Sequence, residues 1–231
     1  MRILSIDTSC KTAMAAVSED ARVIAAVSIQ DQKTHSVKML PAIEYILNVS
    51  DTDRNDIGLV AVTNGPGSYT GLRIGVTTAK TFAYALKVPL VGINSLEALA
   101  ASCAACGDTL ICPVMDARNA RVYAALYKDG AEIMQTAALS CEELSERLKS
   151  EYEGSRIIFT GDGAYPNAET FSSLLGKMFA PLPETLSFGN PAAIAMLAYE
   201  KYRNAVSDGS IGSLTADGLK VEYYKKYTVD I

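Results

Sequence analysis

Eleven residues, Gly65-Pro66-Gly67-Ser68-Tyr69-Thr70-Gly71-Leu72-Arg73-Ile74-Gly75, separate a short apolar, β-rich segment at 59–63 from a run of helix formers at 76–86. The glycines therefore lie on a strand-to-helix turn, which commits this part of the chain to an α/β arrangement. Glycine permits positive φ and close backbone approach, and a helix N-terminus presents unpaired N–H groups. Such a turn suits either an anion or a tightly packed neighbouring backbone. No Gly-Lys-Ser/Thr follows, which excludes a Walker loop, and the spacing departs from the Gly-x-Gly-x-x-Gly of dinucleotide sites. Gly71 and Gly75, four apart on one helical face, leave a smooth strip where a second helix can approach.

Around this turn the hydrophobic periodicity predicts strands over 2–7, 14–17 and 23–29 and an amphipathic helix over 36–49 that tolerates Pro41 in its first turns. The strand at 59–63, the helix to Leu86, a strand at 90–93 and a helix from Leu96 capped by Ser95 complete a first α/β lobe. The pattern then restarts with strands at 110–115, 121–127 and 132–136, a helix at 142–149, a strand at 157–160 ending in Gly161-Asp162-Gly163, and a helix at 167–175. Asn190 and Pro191 form an N-cap and first-turn pair for a helix to about Arg203. Two related lobes are expected: residues 1–104, joined by a returning strand at 218–231, and a smaller lobe at 105–217.

The chain of 231 residues is 49% hydrophobic and 20% charged, enough for two lobes with sizeable cores. No apolar run approaches the length needed to span a bilayer, and Asp7 falls where a signal peptide would need its apolar stretch, so a cytoplasmic location without membrane contact is expected. Five cysteines, an odd number, point to reduced thiols. Cys103-Ala104-Ala105-Cys106 has metal-ligand spacing but no second pair to complete a zinc site. Cys10 has no base that sequence can pair with it. A net charge of −5 gives the chain no electrostatic reason to hold nucleic acid unaided, and the Lys220 to Lys226 segment reads as a protected edge strand.

Several blocks together, Ile6-Asp7-Thr8-Ser9, His35-Ser36 before Leu40-Pro41, the 65–75 segment with Ala79-Lys80, Asn94-Ser95-Leu96-Glu97, and Asp116-Ala117-Arg118 leading into Val122-Tyr123, resemble the bacterial TsaB (YeaZ) family of the actin/hexokinase-like (ASKHA) superfold. The resemblance covers about the first 130 residues firmly and the rest by order of elements. It implies a two-lobed α/β protein that serves, without catalysis of its own, in threonylcarbamoylation of adenosine in tRNAs reading codons that begin with A. The implied partners are a TsaD-type transferase, a TsaE-type ATPase, and a second copy of the chain when the transferase is absent, with tRNA reached only through the complex. No cofactor is expected to be bound tightly by this chain alone, ATP and Mg²⁺ being left to the level of the complex. TsaD-type proteins hold a metal through Asn-His-Leu-Glu-x-His; here Ser95 and Leu99 occupy the histidine positions, and a hydroxyl and an alkyl chain cannot replace two imidazoles. His35 is the sole histidine, so no catalytic residue and no metal ligand is assigned.

The interface implied by the resemblance uses two helices: Leu40, Ile43, Ile46 and Leu47 on the first, and Gly71, Leu72, Arg73, Gly75, Thr78, Ala79 and Phe82 on the second. Core packing would produce a similar pattern. On the interface reading, Gly75→Leu should damage association more than folding. Asp7, Thr8 and Ser9 are candidates for a vestigial nucleotide site, with Asp7 on a Mg²⁺-bound phosphate; the alternative is a turn fixed by local hydrogen bonds. His35 is expected to make a local hydrogen bond at a helix entry capped by Ser36, and Asp116 with Arg118 to form an ion pair in a hairpin. The functional alternatives are a small-molecule kinase or ATPase of the same superfold, a peptidase-like enzyme, or a homodimeric binding module.

Overall fold

A computed structural model describes residues 1–30, 35–103 and 109–224. The chain forms two units, Met1–Ala98 with Gly189–Val221, and Leu99–Phe188 with Glu222–Ile231.

In the first unit, β1 (Arg2–Asp7), β2 (Thr12–Glu19) and β3 (Arg22–Gln30) form an antiparallel meander. After α1 (His35–Val49), β4 (Ile57–Gly65) and β5 (Leu90–Asn94) add parallel to β1, giving the order β3-β2-β1-β4-β5. The crossover between β4 and β5 is α2 (Tyr69–Leu86), and α3 (Ser95–Ala101) follows. Strand periodicity sorts the side chains into two faces. Leu4, Ile6, Val60 and Val62 meet Met39, Ile43 and Ile46 of α1 and Val76, Ala79 and Ala83 of α2. Ile3, Leu59, Ala61, Val91 and Ile93 meet Ile194 and Ala198 of a final helix, α6 (Pro191–Ser207).

That last contact corrects the expected lobe boundary. The segment 189–221 belongs to the first unit, because the sheet's second apolar face needs a cover and Ile194 and Ala198 supply it. Beyond Gly218 the described residues form no strand, although Leu219 and Val221 pack on the first core and Asn64 Nδ2 donates to the Lys220 carbonyl at 3.1 Å. The rest of the expected final strand and of the basic cluster, 225–231, lies outside the described residues.

The second unit repeats the plan. β6 (Leu110–Arg118), β7 (Arg121–Lys128) and β8 (Ala131–Ser140) form a meander, α4 (Cys141–Tyr152) crosses to β9 (Ile157–Thr160), and α5 (Ala168–Leu175) leads to β10 (Phe179–Pro181). The order β10-β9-β6-β7-β8 is the first sheet's order read from the other edge, with β9 parallel to β6 as β4 is to β1. Its core joins Cys112, Val114, Ala124 and Leu126 to Leu144 and Leu148 of α4 and Phe171 of α5. Phe159 stacks within it between Phe171 and Phe179, ring centroids 5.0 and 4.8 Å away.

Local signals fix the helix starts. Ser140 and Glu143 form a reciprocal capping box at α4, Ser140 N to Glu143 Oε2 at 2.7 Å and Glu143 N to Ser140 Oγ at 3.1 Å. Ser140→Ala should cost about 1 kcal/mol of stability in urea unfolding, an unchanged midpoint counting against the cap. At α3 the cap is Asn94, whose Oδ1 accepts from Leu96 N and Glu97 N, not Ser95 as expected. At α1 the helix already includes His35, so Ser36 lies inside the first turn.

Candidate functional site

The β1–β2 turn packs against the start of α2, with Thr8, Ser9, Gly71 and Gly75 buried and Ser68, Tyr69 and Thr70 exposed. Ser68 caps α2, its Oγ accepting from Gly71 N at 3.3 Å, so the helix begins seven residues before the helix-forming run at 76–86. Gly71 and Gly75 then face the turn, and both are buried. A Cβ on Gly71 would overlap the Thr8 carbonyl oxygen, and one on Gly75 would overlap Thr8 Oγ1. Thr8 Oγ1 donates to the Gly71 carbonyl at 2.7 Å. The close approach that the glycines announce is made by the chain's own first turn, which corrects the expectation of a partner helix at this strip.

Three N–H groups of this segment bond within the chain. Ser68 N donates to the Ser9 carbonyl at 2.7 Å, Leu72 N to the Ser68 carbonyl at 2.8 Å, and Gly71 N to Ser68 Oγ. Asp7, only 4% exposed, accepts from Ser9 N at 2.8 Å and from Thr63 Oγ1 at 2.5 Å. Its visible work is to lock the turn to β4. His35 Nε2 lies 3.1 Å from the Cys10 carbonyl, a long-range contact in place of the expected local bond, which ties the entry of α1 to the same turn.

The second unit carries the counterpart. Gly161-Asp162-Gly163 follows β9 as Gly65-Pro66-Gly67 ends β4, and it too folds onto the end of the neighbouring parallel strand: Gly163 N donates to the Val114 carbonyl at 3.0 Å and Asp116 N to Asp162 Oδ1 at 3.2 Å. The Asp116 carboxylate takes the main-chain N–H of Arg118 at 2.8 Å, so the hairpin is shaped by an Asx-type turn in place of the expected side-chain ion pair.

The residues at the metal-ligand positions are built into the fold. Ser95 and Leu99 are buried, and Glu97 pairs with Lys201 of α6 at 2.8 Å. Among the described residues no three His, Cys, Asp or Glu side chains converge as a metal site. Cys103 is buried, and Cys106 lies outside the described residues.

The interface residues divide sharply. Ile43, Ile46, Leu47, Leu72 and Ala79 are buried in the first unit's own core, with Gly71 and Gly75 against Thr8. Thr78 and Phe82 are half-buried, and only Leu40 and Arg73 are exposed. The apolar surface that α1 and α2 turn outward includes Val37, Leu40, Tyr45 and Val49 on the first and Tyr69 and Tyr84 on the second, Tyr84 being 78% exposed. Arg73 stacks over Tyr69 with its guanidinium carbon 4.1 Å from the ring centroid. Most of these outer residues were missed from sequence. Their signal is apolar content beyond the inner stripe, as in Val37 with Leu40 and Tyr45 with Val49.

Comparison with known proteins places this geometry in a class. Residues 22–218 match the family model described as "TsaD: tRNA N6-adenosine threonylcarbamoyltransferase". The chain is 45% identical over 205 residues to the tRNA threonylcarbamoyladenosine biosynthesis protein TsaB of Bacillus subtilis, covering 87% of this chain and 88% of that one. It is 31% identical to the Escherichia coli TsaB over 87% and 89%. Within the family of that model, the chain therefore belongs with the TsaB proteins. The fold agrees: YeaZ from Pseudomonas aeruginosa superposes with a TM-score of 0.74 at 20% identity over 96% of this chain and 99% of that one. A ROK hexokinase from Thermus thermophilus superposes at 0.53 and 12% identity over 88% and 100%, which identifies the two-sheet architecture as ASKHA-like. No helix among the described residues is long and apolar enough to cross a membrane.

Proposed function

We propose that this chain acts in tRNA threonylcarbamoyladenosine biosynthesis as the non-catalytic subunit that docks onto and activates a TsaD-type transferase. The observation that carries the docking is the outer surface of α1 and α2. Their inner faces already cover the sheet, yet Val37, Leu40, Tyr45, Val49, Tyr69 and Tyr84 remain exposed on adjacent helices. Such a surface suits helix-against-helix burial with aromatic anchors. The absence of catalysis is supported by the turn at Asp7 and Ser68, where Ser9 N, Ser68 N and Gly71 N bond within the chain, and by Ser95 and Leu99 at the metal-ligand positions.

On this reading the same surface pairs with a second copy when the transferase is absent, a TsaE-type ATPase joins the complex, and tRNA, ATP and Mg²⁺ are engaged there and not by this chain alone. Co-expression with a TsaD homologue followed by gel filtration tests it, and failure to co-elute would remove it. Leu40→Glu with Tyr84→Glu should weaken co-elution by about tenfold or more while leaving the melting temperature within a degree or two, since both side chains point to solvent.

A further inference from the structure

The sheet of the second unit ends in a cleft that neither the docking surface nor the β1–β2 turn involves. Register brings its residues together. Leu110 pairs with Ile157, Ile111 with Tyr127, and Lys128 with Ala131, so Thr109 before β6, Arg156 before β9 and Lys128 at the close of β7 share one end of the sheet. The last turn of α4 reaches the same place, where the Tyr152 carbonyl accepts from Ser155 N at 3.0 Å. Together they enclose about 640 Å³, within the range of small-molecule sites.

The lining is chemically one-sided. It holds two cations, Lys128 and Arg156, and the hydroxyls of Thr109 and Ser155, and no carboxylate among the described residues. Leu110, Ile133 and Ile158 add apolar wall, with Ile133 40% exposed. A guanidinium fork beside an ammonium and hydroxyl donors is suited to a phosphate group, and the isoleucines to the organic part of its ester. Glu151 and Glu153 flank Tyr152 in sequence and the chain's net charge is −5, which disfavours a long polyanion.

We propose that this cleft binds a small organic monophosphate, its phosphate between Arg156 and Lys128 and its apolar portion against Ile133 and Ile158. The site stands independently of the transferase partnership. Its test is a titration of the full chain with 2-naphthyl phosphate followed by ¹H–¹⁵N NMR. Saturable shifts in the millimolar range or below should centre on Thr109, Lys128, Ser155 and Arg156. The double variant Lys128→Gln, Arg156→Gln should lose about tenfold in affinity, and 2-naphthol or inorganic phosphate alone should bind about tenfold more weakly. Both cations are exposed, so the variant should melt as the parent does. Unchanged affinity in the variant, equal binding of the neutral naphthol, shifts centred elsewhere, or no saturation would each overturn the proposal. So would tighter competition by bulk tRNA, which would reassign the cleft to a polyanion.

Discussion

Valine in place of Gly71 should destabilise the first unit by about 3 kcal/mol or more, seen as a large drop in the urea midpoint. The added Cβ would fall on a backbone atom, the Thr8 carbonyl oxygen, which cannot swing aside like a side-chain tip. Relief would need α2 to lift from the β1–β2 turn, breaking the Thr8 Oγ1 to Gly71 and Ser68 N to Ser9 bonds and loosening Leu72 and Val76 from the core. Gly130→Ala provides the contrast: Gly130 has φ near +80° and open space around it, so only the conformational penalty of about 1 kcal/mol applies. A wild-type midpoint for Gly71→Val would show that the turn does not hold α2 as described. By the same geometry Gly75→Leu should lose folding and association together, reversing the expectation that it damages an interface first.

Asp7→Ala is the second large effect, a loss of about 3 kcal/mol measured without nucleotide or Mg²⁺. Alanine would leave Ser9 N and Thr63 Oγ1 buried without their acceptor, two donors 2.8 and 2.5 Å from one carboxylate oxygen. Asp7→Asn keeps an oxygen in that place and should recover a good part of the loss. If Asp7 served chiefly to hold a metal-bound phosphate, the alanine variant would be as stable as the parent in the apo state, and the asparagine variant would show no advantage. The experiment thus separates a turn that fastens two strands from a ligand site.

Much of the fold was legible because both sheets are covered by helices and their strands carry dense apolar periodicity. The meanders, the β–α–β crossovers and the repetition of the plan follow from that pattern. Three things were not. β10 is three residues long and contains Pro181, too short for any period to register. The start of α2 hides in Tyr-Thr-Gly, weak helix formers that Ser68 and the Thr8 contact hold in place. The allegiance of α6 is a long-range fact, set by which sheet face lacked a cover. At the candidate site the glycines correctly announced close approach, but sequence could not say whose backbone approaches. On α1 and α2 it marked the apolar residues without separating the stripe that seals the core from the smaller set left outside.

The placement of α6 also orders events in time. The second unit's main stretch, Leu99–Phe188, is continuous, whereas the first unit is interrupted and resumes only at Gly189. A ribosome therefore releases all of β6 to β10 before Ile194 and Ala198 exist to cover Ile3, Leu59 and Val91. The half made first is the half finished last. During synthesis the nascent chain carries an uncovered apolar sheet face for the length of a whole inserted unit, a window in which holdase chaperones would find their binding surface.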